Sequence, residues 1–152
     1  QLDRFMFMLW LDYPSFAEEV EILKRTTTAK QEQVRQILTA EDILAIQSLI
    51  KDIPVSDNVY QYAVRLVSKT RLNKSDNRTA KQYLSWGAGP RASQYLIIGA
   101  KCHAALNGKY SPDIEDVNAV AVSVLRHRIV LNYAAQAEEL TSEAIINKLI
   151  NE

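Results

Sequence analysis

From residue 15 onward, the chain repeats the short signals with which α-helices begin. Ser15-Phe16-Ala17-Glu18 is a capping box, in which a hydroxyl and a carboxylate satisfy free backbone N–H groups at a helix start. Thr39-Ala40-Glu41-Asp42 begins a second helix, whose apolar residues continue to about Lys51. Ser56 is placed to cap a third helix. This pattern indicates a mainly α-helical fold.

Three further helices are predicted in the second half of the chain. They run from about Arg91 to Leu106, from Ser111-Pro112-Asp113 to about Arg126, and from Thr141 to the end. Pro90 and Pro112 stand at the predicted first positions of the first two helices, where a missing N–H costs nothing. Asn107-Gly108 is typical of a left-handed helix end. The helical region therefore extends over most of the chain.

The remaining stretches are predicted to be non-helical. Residues 72–86 are the longest loop candidate, residues 31–38 a short strand or loop, and residues 129–131 a short apolar piece. Residues 5–12 form an apolar, partly aromatic run that predicts a buried strand. A single strand cannot satisfy its own backbone groups, so we expect it either to pair with something outside this chain or to be displaced. The start at Gln1, directly before apolar sequence, suggests a piece from inside a longer protein.

The composition limits the classes of function. Basic and acidic residues number 18 each, which gives a formal net charge of zero and argues against a dedicated nucleic-acid-binding protein. No apolar run approaches the roughly 20 residues needed to cross a bilayer. The single cysteine, Cys102, cannot form a disulfide within the chain, which fits a reducing compartment such as the cytoplasm.

Several kinds of catalytic motif are missing from the sequence. There is no G-x-x-x-x-G-K-[ST] loop to hold nucleotide phosphates. His103 and His127 have no cysteine or carboxylate at metal-ligand spacing, so no metal site is predicted. The serines lack a His–Asp arrangement that their spacing could support. Alone, this chain is not expected to be catalytically competent.

Three arginine-bearing segments remain as candidates, and they contain Arg4, Arg91, and Arg126 with Arg128. Arg91 lies in the first turn of a predicted helix, after a flexible glycine-containing stretch. The free N–H groups there already provide positive potential, so an added cation points to an anion nearby, and phosphate is the obvious one. The alternative is a solvated surface arginine. For Arg126 and Arg128 the alternative is a favourable contact with a helix C-terminus.

Together, and in this order, these segments resemble the C-terminal part of a MoxR-type AAA+ ATPase, over essentially the whole chain. Gln1-Leu2-Asp3-Arg4-Phe5 is similar to the family's segment with the arginine finger, and Asp12-Tyr13-Pro14-Ser15 to its strand-to-lid turn. Gly87-Ala88-Gly89-Pro90-Arg91-Ala92-Ser93 resembles the second sensor. Tyr110-Ser111-Pro112-Asp113 and Val124-Leu125-Arg126-His127-Arg128-Ile129 match two further segments.

The resemblance implies a helical lid domain, preceded by one short strand of an α/β core that is absent here. Residues 1–14 would end that core, and residues 15–152 would form the lid. Both Walker motifs of the family are missing from this chain. Gly89 also departs from the family, which more often has serine at that position, and this change is expected to loosen the loop before Arg91.

The resemblance also implies a function for the parent protein. ATP with Mg²⁺ would bind at the subunit interfaces of a hexameric ring. Arg4 would act in trans as the arginine finger, and Arg91 as the second sensor. Pro90, Arg126 and Arg128 would lie near the nucleotide. ATP hydrolysis would drive chaperone-like maturation or activation of client protein complexes. A von Willebrand factor A domain protein would be a partner, and neither nucleic acid binding nor a membrane span is expected.

Two alternatives stay open at this point. One is a helical interaction module without nucleotide chemistry, whose exposed groove binds a partner helix. The other is DNA binding, because relatives with similar lids act in replication. The neutral net charge and the lack of a concentrated basic face weigh against DNA binding.

Overall fold

The protein is described by a computed structural model, which covers residues 1–28, 35–73 and 76–152. A single 3₁₀ turn, Leu2–Arg4, precedes the helices. The helices are α1 Phe16–Thr26, α2 Ala40–Asp52, α3 Asp57–Lys69, α4 Arg78–Tyr83, α5 Pro90–Leu106, α6 Ile114–Leu125, α7 Tyr133–Ala137 and α8 Ser142–Asn151. Two short antiparallel strands, β1 Leu84–Trp86 and β2 Val130–Leu131, pair with each other. The prediction of a mainly helical fold is confirmed.

The predicted helix starts are largely found. Ser15 and Glu18 form the capping box at the start of α1, with the Ser15 N–H donating to Glu18 at 2.8 Å. Thr39 caps α2. Ser56 takes the N-cap position of α3, but its side chain makes no capping bond. Pro90 is the first residue of α5, as predicted.

The start of α6 differs from the prediction. The N-cap is Asp113, which exchanges capping bonds with Asp116 three residues later. Pro112 therefore lies before the cap rather than at the first helical position. A carboxylate that accepts from the backbone N–H of Asp116 defines the first turn more strongly than a proline does.

The region predicted as one long loop, residues 72–86, contains α4 and β1. Asn77 caps α4, and Asn132 likewise caps the unpredicted α7. These helices have six and five residues, too few for an apolar period to be recognised. Of the stretch 31–38, residues 31–34 lie outside the described residues.

Residues 7–15 have no strand pairing in the described part of the chain. Their main chain is instead tied to α6, where the Met8 N–H donates to the Ser123 carbonyl at 2.9 Å. The strand predicted over residues 5–12 is therefore not formed here, because a strand needs a neighbouring strand for its backbone bonds.

The core lies among α3, α5, α6 and α8. Its largest fully buried side chains include Leu66, Leu96, Leu125, Ile145, Ile146 and Leu149. Helix α5 is central, because it packs against α2, α3 and α6 and also against the 3₁₀ turn at the N-terminus. None of the helices in the described ranges is both long and apolar enough to cross a membrane. The packing of the N-terminal turn on α5 brings two of the predicted arginines to one region.

Candidate functional site

Arg91 occupies the first turn of α5. Gly89 is the N-cap, with φ of −80°, and Pro90 follows it. The Arg91 side chain is 48% exposed, and its Nη1 donates to Asp3 Oδ2 at 3.0 Å. The anion beside the helix start is thus a carboxylate of this chain, 88 residues away in sequence.

The stretch before Arg91 is held by Thr70 and Arg71, the two residues that follow α3. The Ala88 N–H donates to Thr70 Oγ1 at 2.9 Å, and Arg71 Nε donates to the Ala88 carbonyl at 2.9 Å. Gly87 lies so close to the residue after α3 that a Cβ there would be 2.1 Å from the Thr70 carbonyl oxygen. A Cβ at Gly89 would meet nothing within 4 Å. The expected flexibility therefore does not extend to Gly87 and Ala88, which are fixed by these contacts.

Arg4 closes the 3₁₀ turn at the N-terminus and is exposed. Its Nε donates to the Gln1 carbonyl at 3.2 Å. The main chain of Arg4 is tied to α5, because the Tyr95 hydroxyl donates to the Arg4 carbonyl at 2.9 Å. The backbone of Arg4 is therefore anchored while its guanidinium faces outward.

Asp3 joins the two segments. One carboxylate oxygen accepts from Arg91, and the other accepts from Arg128 Nε at 3.1 Å. The Asp3 side chain is 49% exposed, whereas that of Arg128 is only 1% exposed. One carboxylate thus bridges the start of α5 and the residues that follow α6.

Arg128 is committed to protein partners. Its Nη2 donates to the carbonyls of Asp3 at 2.8 Å and Phe5 at 2.6 Å, and its Nη1 to those of Met6 and Val124. Its guanidinium also lies over the Tyr95 ring, 5.0 Å from the centroid. Burial lowers the pKa of Arg128, and Asp3 opposes that shift.

These bonds give Arg128 a clear structural role. A rigid fork of donors suits several carbonyls at once, and here it fixes the main chain of residues 3–6. The family resemblance had implied that Arg128 lies near the nucleotide. The contact with a helix C-terminus, which the sequence offered as the alternative, is found in the bond from Arg128 to the Val124 carbonyl of α6. The bonds to residues 3–6 were missed because backbone carbonyls have no residue-specific signal in a sequence.

His127 holds the same segment. Its Nε2 lies 3.0 Å from the Phe5 carbonyl oxygen. Burial lowers the pKa of His127, and the positive charges of Arg128 and Arg126 act in the same direction. The ring is therefore neutral at neutral pH, with its proton on Nε2 donated to Phe5. The Nδ1 atom is buried and lacks a partner among the described residues.

Arg126 points elsewhere. Its Nη2 pairs with Glu143 on α8, and its Nε is buried without a hydrogen-bond partner in the described residues. The structure therefore brings together the segments of Arg4, Pro90, Arg91 and Arg128, and it places Arg126 against α8.

A second charged cluster, which the sequence did not reveal, lies where α5 ends and α6 begins. The fully buried Asp116 accepts from Lys109 Nζ at 3.1 Å, and its Oδ1 lies 2.7 Å from His103 Nδ1. Burial opposes ionisation of Asp116, but hydrogen bonds from Asp113, His103 and Lys109 outweigh it and lower its pKa to about 2. The available signal was the Asp113–Asp116 capping box.

A groove of about 520 Å³ lies next to the start of α5. Its lining comprises Arg71, Leu72, Asn73, Ser85, Trp86, Gly87, Ala88 and Gly89. Arg71 is the arginine of this lining, and its Nε already donates to the Ala88 carbonyl, whereas Arg91 is not one of the lining residues. An exposed arginine fork such as that of Arg91 can pair with a phosphate or a carboxylate through two parallel hydrogen bonds. The site offers charge and positioning, which are the contributions arginines make to phosphoryl transfer.

The chain is similar to known proteins over nearly its whole length. Residues 76–149 match the AAA lid domain family. The chain is 37% identical over 154 positions to Chaperone MoxR1 of Mycobacterium tuberculosis, covering 99% of this chain and 40% of that protein. It is 30% identical to the uncharacterized protein YeaC of Bacillus subtilis, covering 99% of this chain and 45% of YeaC.

A solved structure shares the fold. The crystal structure of a candidate ATPase from Cytophaga hutchinsonii, at 2.00 Å resolution, superposes with a TM-score of 0.87 and 32% identity. The match covers 99% of this chain and 46% of that one. The chain therefore spans less than half the length of each of these three proteins.

Proposed function

This chain belongs to the MoxR-type AAA+ ATPases and corresponds to their C-terminal part, and we propose that it supplies the arginine finger and the second-sensor arginine of a complete ATPase. The match to the AAA lid domain family covers residues 76–149 of the proposed lid. The nucleotide with its Mg²⁺ would be held by Walker residues outside this chain. Residues 1–14 are proposed as the end of that nucleotide-binding core, and residues 15–152 as the lid.

The observation that supports this proposal is the docking of the Arg4 segment on the helix start of Arg91. Tyr95 contacts the Arg4 main chain, and Asp3 pairs with Arg91, so residues far apart in sequence meet at one place. Both side chains are exposed, that of Arg91 to 48%, and can reach a phosphate outside the chain. Backbone anchoring with an exposed guanidinium is the arrangement that a preorganised arginine needs.

In the proposed mechanism, Arg4 reaches the nucleotide of the neighbouring subunit. Its positive charge stabilises the charge that develops on the γ-phosphate, which can accelerate hydrolysis by about 10³–10⁵. Arg91 touches the phosphate from the lid and couples nucleotide binding to lid movement. Whether that nucleotide lies in the same subunit or the next depends on lid placement. Because Arg128 is buried, its part is to hold residues 3–6 for Arg4.

The remaining roles extend the same proposal. Arg126, which pairs with Glu143, would support a secondary interface near the nucleotide, and Pro90 would shape the start of α5 beside it. Hexamer formation, chaperone-like activation of client complexes and a von Willebrand factor A domain partner follow from the family resemblance. The Mycobacterium relative is named a chaperone, which supports the proposed chaperone-like activation of client complexes.

The test is an Arg4→Ala change in the whole protein that contains this chain. ATP hydrolysis should fall by about 10³–10⁵, while binding of a fluorescent ATP analogue stays near the wild-type level. The matched control is Arg65→Ala, an exposed arginine of α3, which should leave both unchanged. Equal loss of binding and hydrolysis would make Arg4 structural. A whole protein without ATP hydrolysis would favour the helical interaction module.

A further inference from the structure

Asp3 pairs with two arginines whose side chains differ greatly in exposure to solvent. Toward Arg128, the carboxylate faces a side chain that is 1% exposed and whose terminal nitrogens also hold the carbonyls of residues 3, 5, 6 and 124. Toward Arg91, it faces a side chain that is 48% exposed and bonded to Asp3 through Nη1. The Arg128 side of this bridge is fixed, and the Arg91 side is free to exchange partners.

Exchange at Arg91 follows from the charges. A phosphate bound to the Arg91 guanidinium would bring negative charge next to the Asp3 carboxylate, and like charges at such distances repel. A half-exposed ion pair contributes little energy, so a multiply charged phosphate can displace it. Asp3 would then keep its bond to Arg128, with the turn Leu2–Arg4 still docked through Tyr95.

We propose that Asp3 is a positioning residue for both arginines. It holds Arg91 in a resting position until a nucleotide phosphate displaces its carboxylate, and through Arg128 it keeps Arg4 in place throughout. This inference rests on the proposed function, because it needs Arg91 to bind phosphate and Arg4 to act in hydrolysis. It adds a competition within the chain that sets how tightly nucleotide binds.

The test is Asp3→Asn in the whole protein, with nucleotide affinity and kcat measured separately. Loss of the competing carboxylate should tighten binding of an ATP analogue by up to about fivefold, the range of a half-exposed ion pair. Loss of the charged bond to Arg128 loosens the turn that carries Arg4, so kcat should fall about ten- to a hundredfold. A merely structural role would weaken both quantities together.

A double-mutant cycle locates the effect. In an Arg91→Ala background, Asp3→Asn should no longer tighten nucleotide binding, because the arginine for which Asp3 and the phosphate compete is gone. Asp3→Glu, which keeps the charge, should restore much of kcat. Asp12→Asn is the matched control, since Asp12 is an exposed carboxylate of the same segment that accepts from the adjacent Tyr13 N–H, and it should behave as wild type.

The outcomes separate this inference from the proposed function. If Arg4→Ala and Arg91→Ala impair the ATPase but Asp3→Asn leaves affinity unchanged or weakens it, the inference is wrong and the proposed function stands. Equal tightening by Asp3→Asn with and without Arg91 would also overturn it. If the whole protein does not hydrolyse ATP, the proposed function fails and this inference fails with it. Circular dichroism and thermal unfolding of each variant identify any loss of folding. If Asp3→Asn does not fold, the kcat of Asp3→Glu is the deciding measurement, and a kcat far below that of the native protein would contradict the inference.

Discussion

The hydroxyl of Tyr95 donates to the main-chain carbonyl of Arg4 at a distance of 2.9 Å. Tyr95 follows Arg91 by four residues and therefore lies one turn further along the same face of α5. The first two turns of α5 thus contact the N-terminal turn at two points, through the Arg91–Asp3 ion pair and through the hydrogen bond from Tyr95 to Arg4. Helix α5 therefore positions Arg4 relative to Arg91 together with Arg128, which holds the carbonyls of residues 3, 5 and 6.

Tyr95→Phe should therefore impair hydrolysis more than it impairs folding. Loss of a single hydrogen bond costs about 0.5–1.5 kcal/mol of stability. A shift of Arg4 by a fraction of an ångström should lower kcat of the whole protein by about tenfold. Tyr60→Phe, at an exposed tyrosine of α3, provides the comparison. Urea unfolding and steady-state kinetics of both variants give the measurements, and a normal kcat in Tyr95→Phe would count against this dependence.

Arg91→Ala should weaken the response of the lid to nucleotide. A hydrogen bond to a charged group is worth about 1.5–3 kcal/mol, so turnover should fall by about one to two orders of magnitude. Arg91→Lys keeps the charge but loses the planar fork, and its ATPase rate should lie between those of the native protein and Arg91→Ala. ATPase rates, together with fluorescence energy transfer between the lid and the core, report the change. Unchanged turnover in Arg91→Ala would remove Arg91 from the site.

Two glycines near Arg91 should respond in opposite ways. In Gly87→Ala the new Cβ would be 2.1 Å from the Thr70 carbonyl oxygen, a backbone atom that cannot easily move. We expect a loss of about 2 kcal/mol or more in the free energy of unfolding. Gly89→Ser meets open space at the N-cap of α5, so it should gain a few tenths of a kcal/mol. Denaturant unfolding of both variants tests the pair, and similar losses would contradict it.

His127 should make the stability depend on pH. Its pKa in the folded protein is lowered from the ordinary 6.5, chiefly by burial, so the unfolded chain binds more protons than the fold just below that pH. Of its charged neighbours, Arg128 and Arg126 lower the pKa, and Asp3 raises it. The stability from neutral His127 is complete above pH 6.5 and is lost as the pH falls below it.

The check is the free energy of unfolding from about pH 8 to about pH 5, for the native chain and for His127→Gln. The native chain should lose stability faster than the variant as the pH falls, because glutamine does not titrate. Taking the difference between the two curves removes the contribution of the groups that the two chains share. Parallel curves would show that His127 does not titrate in this range.

Local signals made most of the helices predictable. The capping box of Ser15 with Glu18 and the proline at position 90 each act within a few residues, so the sequence contains all that is needed to recognise them. The short helices α4 and α7 were missed because each spans fewer than two turns, too few for an apolar period to be recognised. The pairing of β1 with β2 joins residues more than 40 positions apart, which no local pattern encodes.

The site was only partly predictable for a related reason. Arg4 and Arg91 stood out through their neighbours in sequence, and the family resemblance depended on those neighbours. The roles of Asp3 and Arg128 depend on an ion pair and on main-chain carbonyls more than 120 residues away, which have no signature in the sequence. Predicting them requires the fold that brings the N-terminal turn onto α5.

Helix α5 is 17 residues long, about 25 Å, and it packs against α2, α3 and α6. Near its far end, the buried Lys101 also donates to the Lys51 carbonyl in α2. Any tilt of α5 must therefore carry its neighbours with it, since breaking that packing would expose core side chains. Helix α5 and the helices packed against it are therefore expected to move together as one unit.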